Sequence, residues 1–147
     1  MNYIISGGYG FIGRNLTLAL DRGNHSFIIL DKVVGCDLRS CDLRILGCDV
    51  FVHLAAITNI RDSIGNPSQT ISDNLQMTLN CLNYCREQQI PFIFASSMGA
   101  PQALSPYSAS KLACESACTA YSESYGLETT ILRLSSVYGP QSNTTRS

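Results

Sequence analysis

The chain has 147 residues, is 45% hydrophobic and 14% charged, and carries a formal net charge of −1. That balance predicts one globular domain with a real core rather than a disordered chain. It gives no electrostatic basis for nucleic acid or an anionic membrane as partner, and no apolar run approaches the roughly 18–20 residues that span a bilayer.

The chain opens on residues 3–6, an apolar, β-branched run ending in glycines, which reads as a short buried strand. No basic segment precedes an apolar one, so no signal peptide is expected and a cytoplasmic location is. Residues 11–21 have helical periodicity, with Gly23 as the cap. Strands are expected at 26–30 and 49–54, then a long helix over 71–88 that closes before Pro91. A strand over 92–96, a helix over 106–125 capped by Gly126 and a strand over 128–134 complete the pattern. Residues 142–147 read as a frayed polar tail, leaving a single domain over 1–141. Alternating strands and helices predict an α/β fold, a doubly wound parallel sheet with helices on both faces.

One link is unusually short. Only five residues separate Asp31 from Asp37. A parallel crossover needs about a dozen or more residues, so this segment cannot hold a full helix–strand unit. A small sheet of about five strands, lacking an outer strand on that side, is expected.

The seven cysteines are an odd number, and with no secretion signal they are expected to be reduced thiols. Cys81/Cys85 and Cys114/Cys118 fall at i, i+4 on predicted helices and read as small apolar residues on packed faces. No Cys-x-x-Cys or His-x3-His spacing is present, so no metal site is expected. His53 ends a strand and reads as a packed, satisfied histidine, and His25 as a surface residue after a turn.

The chemistry-bearing residues fall into two groups. Gly7, Gly10 and Gly13, in Gly7-x-x-Gly10-x-x-Gly13, follow a strand and open a helix. Such glycines permit a tight turn and close approach of a pyrophosphate to free helix N–H groups. Asp31 ends the next strand 18 residues after Gly13, near the spacing of about 20 expected for a carboxylate that receives ribose hydroxyls. It would also repel a 2′-phosphate, which favours NAD over NADP. In the second group, Tyr107 and Lys111 are four residues apart, one turn along one helix face, ten residues downstream of Ser97. An ammonium beside a phenol favours the phenolate, whose ordinary pKa is about 10. That makes the tyrosine a general base.

Gly7-Gly-Tyr-Gly-Phe-Ile-Gly13, His53-Leu-Ala-Ala56, Ala95-Ser-Ser97, Tyr107-x3-Lys111 and Leu132-Arg-x3-Val-Tyr-Gly-Pro140 together resemble the extended short-chain dehydrogenases/reductases. More closely, they resemble the NAD-dependent epimerase/dehydratase family that acts on nucleotide-sugars. The resemblance runs from Met1 to about Gln141 and implies a Rossmann-like fold with bound NAD. It implies that Phe11 and Ile12 lie under the pyrophosphate and that Asp37 and Leu38 contact adenine. Leu54, Ala55 and Ala56 would line the nicotinamide ribose pocket, Asn74 would support the site by a hydrogen bond, and Ser135 would contact the nicotinamide.

By the same resemblance, Ser97 hydrogen-bonds the reacting sugar oxygen, Tyr107 takes its proton, and Lys111 binds the ribose and tunes Tyr107. The activity implied is reversible hydride transfer at a sugar hydroxyl carbon of a UDP-, GDP- or dTDP-sugar. A homodimer through helices 71–88 and 106–125 is implied as well. Ser97-Met98-Gly99 stands where the family's 4,6-dehydratases carry Thr-Asp-Glu, which points to an epimerase or reductase. The family's C-terminal substrate domain has no counterpart within these 147 residues, so a truncated, inactive NAD-binding module or a fragment is the alternative expectation.

Overall fold

The structure, a computed structural model, describes residues 1–43 and 47–139. The strands are β1 (Asn2–Ser6), β2 (Ser26–Leu30), β3 (Val50–His53), β4 (Phe92–Ser97) and β5 (Thr129–Leu134). The helices are α1 (Phe11–Arg22), α2 (Ile60–Gly65), α3 (Pro67–Gln88) and α4 (Pro106–Tyr125). All strands are parallel, in the order β2-β1-β3-β4-β5.

From β1 the chain steps outward to β2, and from β3 it steps the opposite way to β4 and β5. Right-handed crossovers therefore put α1 on one face and α3 and α4 on the other. The core lies on the latter face. Ile4, Phe51, Phe92 and Phe94 point from the strands to meet Met77, Cys81, Leu82 and Cys85 of α3 and Cys114 and Cys118 of α4. These four cysteines pack as small apolar groups, as their spacing predicts.

Chain economy produced the expected short sheet. Lys32–Val34 form a single 3₁₀ turn, its N–H groups capped by Asp31, and β2 is left as the outermost strand. The helical segment before β4 is longer than its periodicity indicates. Asn59 caps α2 through Arg61 N and Asp62 N, and α3 begins at Pro67, four residues ahead of the apolar repeat. Proline suits a first helical turn, where no amide partner is needed. His25 is not a free surface residue: it is half-buried, edge-on to the Tyr3 ring.

The cysteines are not all reduced. Cys36 and Cys41 form a disulfide, with Cα atoms 5.5 Å apart, within the usual range. The domain end at 141 and the tail over 142–147 lie outside the described residues.

Candidate functional site

The winding of the sheet reverses between β1 and β3, and open α/β sheets bind ligands in the crevice at that reversal, beyond the strand C-termini. Two loops meet there. Gly7 leaves β1 with φ +70°, a left-handed conformation that favours glycine, and its amide donates to Leu30 O at 2.8 Å. A Cβ at Gly7 would lie 2.7 Å from Ala55 N. The glycine turn thus rests on the backbone after β3. A Cβ at Gly13 would lie 2.5 Å from both Gly7 O and Gly8 Cα, so only glycine lets α1 start this close to β1. Gly10 caps α1 with backbone alone, and its side of the turn is open except for Gly7 O at 3.2 Å. Free amides at a helix start, beside a turn cleared of side chains, suit a pyrophosphate.

Asp31 stands across this turn. Its Oδ2 accepts from Tyr9 N and its Oδ1 from Val33 N, each at 3.2 Å. The carboxylate is therefore fixed beside the glycines, where a ribose would need it. Asp37 faces a different set of groups. Arg39 clamps its carboxylate through Nε and Nη2, Lys32 lies 3.7 Å away, and the Arg39 hydrogen bond drives its pKa well below the carboxylate range. Leu38 is buried against the core.

The loop after β3 is held from below. Asn74 of α3 accepts from Ile57 N at 2.7 Å, donates to Ile57 O at 3.1 Å and donates to Ser110 Oγ of α4 at 2.9 Å. One buried amide thus joins the loop carrying Leu54, Ala55 and Ala56 to the helix carrying Tyr107 and Lys111. Asn74→Ala would take the side-chain partner from Ile57 N and Ile57 O and the donor from Ser110 Oγ. The expected loss is about 2–4 kcal/mol of unfolding free energy, measurable as a lower urea midpoint at unchanged m-value.

His53 extends the same buried system. Its Nδ1 lies 2.6 Å from Ser6 Oγ and its Nε2 3.1 Å from Thr78 Oγ1. Thr78 in turn donates to Asn74 O. Burial, with Lys111 nearby, pushes the His53 pKa down from 6.5 to about 3. Above pH 6.5 the ring is neutral in folded and unfolded chains alike, and it costs nothing. Between pH 6.5 and 3 only the unfolded chain takes up the proton, so stability falls as pH falls, by up to about 1.4 kcal/mol per pH unit. His53→Gln is expected to flatten that dependence in denaturant titrations between pH 7 and 4.

Ser97 ends β4, half-buried, and its Oγ accepts from Gly99 N at 3.2 Å. Ser105 starts α4 with a reciprocal cap to Ser108, and Pro106 occupies the first turn, which sets Tyr107 at the helix start. Tyr107 O accepts from Ser110 Oγ. Lys111 is not a solvated helix charge. It is 3% exposed, its Nζ donates to Ala95 O at 2.7 Å, and it lies 4.7 Å from the centre of the Phe94 ring. Burial lowers its pKa from 10.5 to about 8. A lysine buried this deeply near the half-buried end of β4, with its pKa shifted by burial, is a candidate functional group. Ser135, just past β5, is exposed.

Sequence reasoning missed Ser6, Thr78 and Ser110, which carry the network beneath the site. It also missed the Ser96–Glu115–Arg133 cluster. There Arg133 makes a two-pronged contact with the buried Glu115 carboxylate and holds its pKa down, while Ser96 Oγ donates to Oε1 at 2.5 Å.

The model of the NAD dependent epimerase/dehydratase family matches residues 3–147. The chain belongs to that family. It is similar to curated proteins much longer than itself. One is a putative UDP-glucose 4-epimerase of Methanocaldococcus jannaschii, 33% identical, covering 92% of this chain and 56% of the relative. Another is an uncharacterized UDP-glucose epimerase of Bacillus subtilis, 32% identical, covering 96% and 58%. The first alignment runs over 170 positions, more than the length of this family member, so the relative carries insertions that it lacks.

Two solved structures share the fold. The UDP-N-acetylglucosamine 4-epimerase of Methanobrevibacter ruminantium, in complex with UDP-N-acetylmuramic acid, matches with TM-score 0.88 at 27% identity, over 98% of this chain and 57% of that one. The UDP-glucose 4-epimerase of Thermus thermophilus, in complex with NAD, matches with TM-score 0.88 at 28% identity, over 97% and 58%. The chain therefore spans a little over half the length of the proteins it matches. Its sheet is a shortened version of theirs.

Proposed function

We propose that this chain binds NAD across the reversal between β1 and β3 and carries the acid–base residues of a nucleotide-sugar epimerase or oxidoreductase. The observation that carries this reading is the meeting of the glycine turn, Asp31 and the loop 54–56, with buried Lys111 and Asn74 beneath them. The pyrophosphate would lie on Gly7, Gly10, Phe11, Ile12 and Gly13. Asp31 would receive the adenosine ribose, and Asp37 and Leu38 would face adenine. Leu54, Ala55, Ala56 and Ser135 would border the nicotinamide end. NAD, when bound, supplies the oxidising and reducing equivalent.

The chain's own residues then handle the proton. Ser97 orients the sugar hydroxyl, Tyr107 removes its proton, and Lys111 holds a positive charge close by. The natural substrate class is a UDP-sugar, in keeping with the relatives' names. The exposed side chains of Tyr9, Met98, Leu104, Val137 and Tyr138, all on loops beyond strand C-termini, border an open approach to the site. No helix among the described residues is long and apolar enough to cross a membrane, and the reading places the protein in the cytoplasm. A homodimer through helices 71–88 and 106–125 belongs to the same proposal, and light scattering showing a monomer at micromolar concentration would remove it.

The test is calorimetric titration with NAD, followed by incubation with NAD and UDP-, GDP- and dTDP-sugars. Binding with turnover of one sugar supports the full reading. Binding without turnover of any supports the second one, a truncated cofactor-binding module or fragment without catalysis. No binding of NAD overturns both.

A further inference from the structure

Cys36 and Cys41 differ from the other five cysteines. Cys81, Cys85, Cys114 and Cys118 are buried free thiols, and burial raises the pKa of each, as it does for half-buried Cys48. A thiol held protonated is a poor nucleophile. Cys36 and Cys41 are partly exposed and joined to each other. Cys41 also lines a cleft of about 340 Å³, with Arg39, Asn80 and Asn83 among its walls.

The ring closed by this disulfide encloses Asp37 and Leu38, the two residues assigned to adenine. Its anchors lead directly to the cofactor loops. Cys36 N donates to Asp31 O at 3.1 Å, and the Asp31 carboxylate accepts from Tyr9 N in the glycine turn. Cys41 N donates to Asp37 O at 2.7 Å. Asn80 of α3 donates to Leu38 O and Arg39 O, and Arg39 Nη1 reaches Asp73 at 2.8 Å. The ring is thus fixed at both ends and from beneath, in register with Asp31.

We propose that Cys36–Cys41 is a thiol–disulfide exchange site for small thiols and disulfides, and that its closure strengthens NAD binding by holding Asp37 and Leu38 in place. The inference rests on the NAD reading above. In the opening direction, the thiolate of a small thiol attacks one sulfur. The S–S bond breaks, a mixed disulfide forms, and the other cysteine leaves as a thiolate that takes up a proton. A second small thiol then releases the first cysteine. Two electrons and two protons enter the protein, and the two small thiols depart as their disulfide. Closure is the reverse, with a small disulfide as oxidant.

The test equilibrates the full chain in buffers of reduced and oxidised dithiothreitol and titrates NAD into each. The reduced chain is expected to bind about tenfold more weakly, a typical coupling between linked sites. Linkage is reciprocal, so saturating NAD should move the disulfide midpoint about 30 mV more negative, the shift equivalent to tenfold for a two-electron couple. Alkylation and mass measurement read that midpoint without any assay of activity. The Cys36→Ser, Cys41→Ser double variant is expected to bind NAD like the reduced chain in both buffers. Equal affinity in the two states with an unmoved midpoint overturns the inference alone. Failure to bind NAD in either state overturns the cofactor reading, and the coupling with it.

Discussion

Tyr107→Phe is expected to lower turnover of the preferred nucleotide-sugar by about a thousandfold while changing NAD affinity by less than about threefold. The substitution removes one oxygen and keeps the ring that packs at the start of α4. A positioned general base contributes about 10²–10⁴ in rate, and the phenol is the only group the proposal asks to take the sugar proton. The measurement is kcat at saturating sugar beside a calorimetric titration with NAD. A variant within tenfold of the parent would remove Tyr107 from the chemistry. Lys111→Met serves as a companion, since it removes the charge and its bond to Ala95 O while keeping an apolar stem over Phe94.

Gly13→Ala is the second large effect, and it acts on structure first. The added methyl would sit 2.5 Å from Gly7 O and Gly8 Cα, both backbone atoms, so no rotamer change can relieve it. Either α1 withdraws from β1 or the glycine turn opens. Overpacking of this kind costs about 3 kcal/mol, at the upper end of what extra methyl groups impose. For a chain of this size that lowers Tm by roughly 6–12 °C. The free amides at the start of α1 would move with the helix, and NAD affinity should fall at least a hundredfold. Gly65→Ala is the control: nothing lies within 4 Å of its Cβ position, and alanine suits a helix, so stability should change by less than about 1 kcal/mol. Equal stability of the two variants would show that the close approach of α1 to the turn is not needed.

Much of this was legible in the sequence because the signals were local. The glycine turn, Asp31 and the Tyr107/Lys111 spacing each lie within one strand–loop–helix unit, and chain length alone dictated the short link after β2. The start of α3 was not legible. Residues 60–70 carry few apolar positions, and their helices are set by Asn59 and Pro67 rather than by periodicity. The support beneath the site was hidden for a different reason. Ser6, Thr78 and Ser110 are short polar residues that nothing in their own elements sets apart, and their partners lie 25 to 47 residues away. Only folding reveals such pairs. The Cys36–Cys41 bond belongs with them, because an odd cysteine count excludes complete pairing but does not name a pair.

The strand order has a consequence for how the chain comes off the ribosome. β2 pairs beside β1, β3 takes the other side of β1, and β4 and β5 each join the edge left by the strand before. No strand has to be inserted between two that are already paired. Beyond β1, the edge left by each strand is the one the next strand covers, while β2 keeps its outer edge, so the sheet can assemble in the order of translation, N-terminal part first.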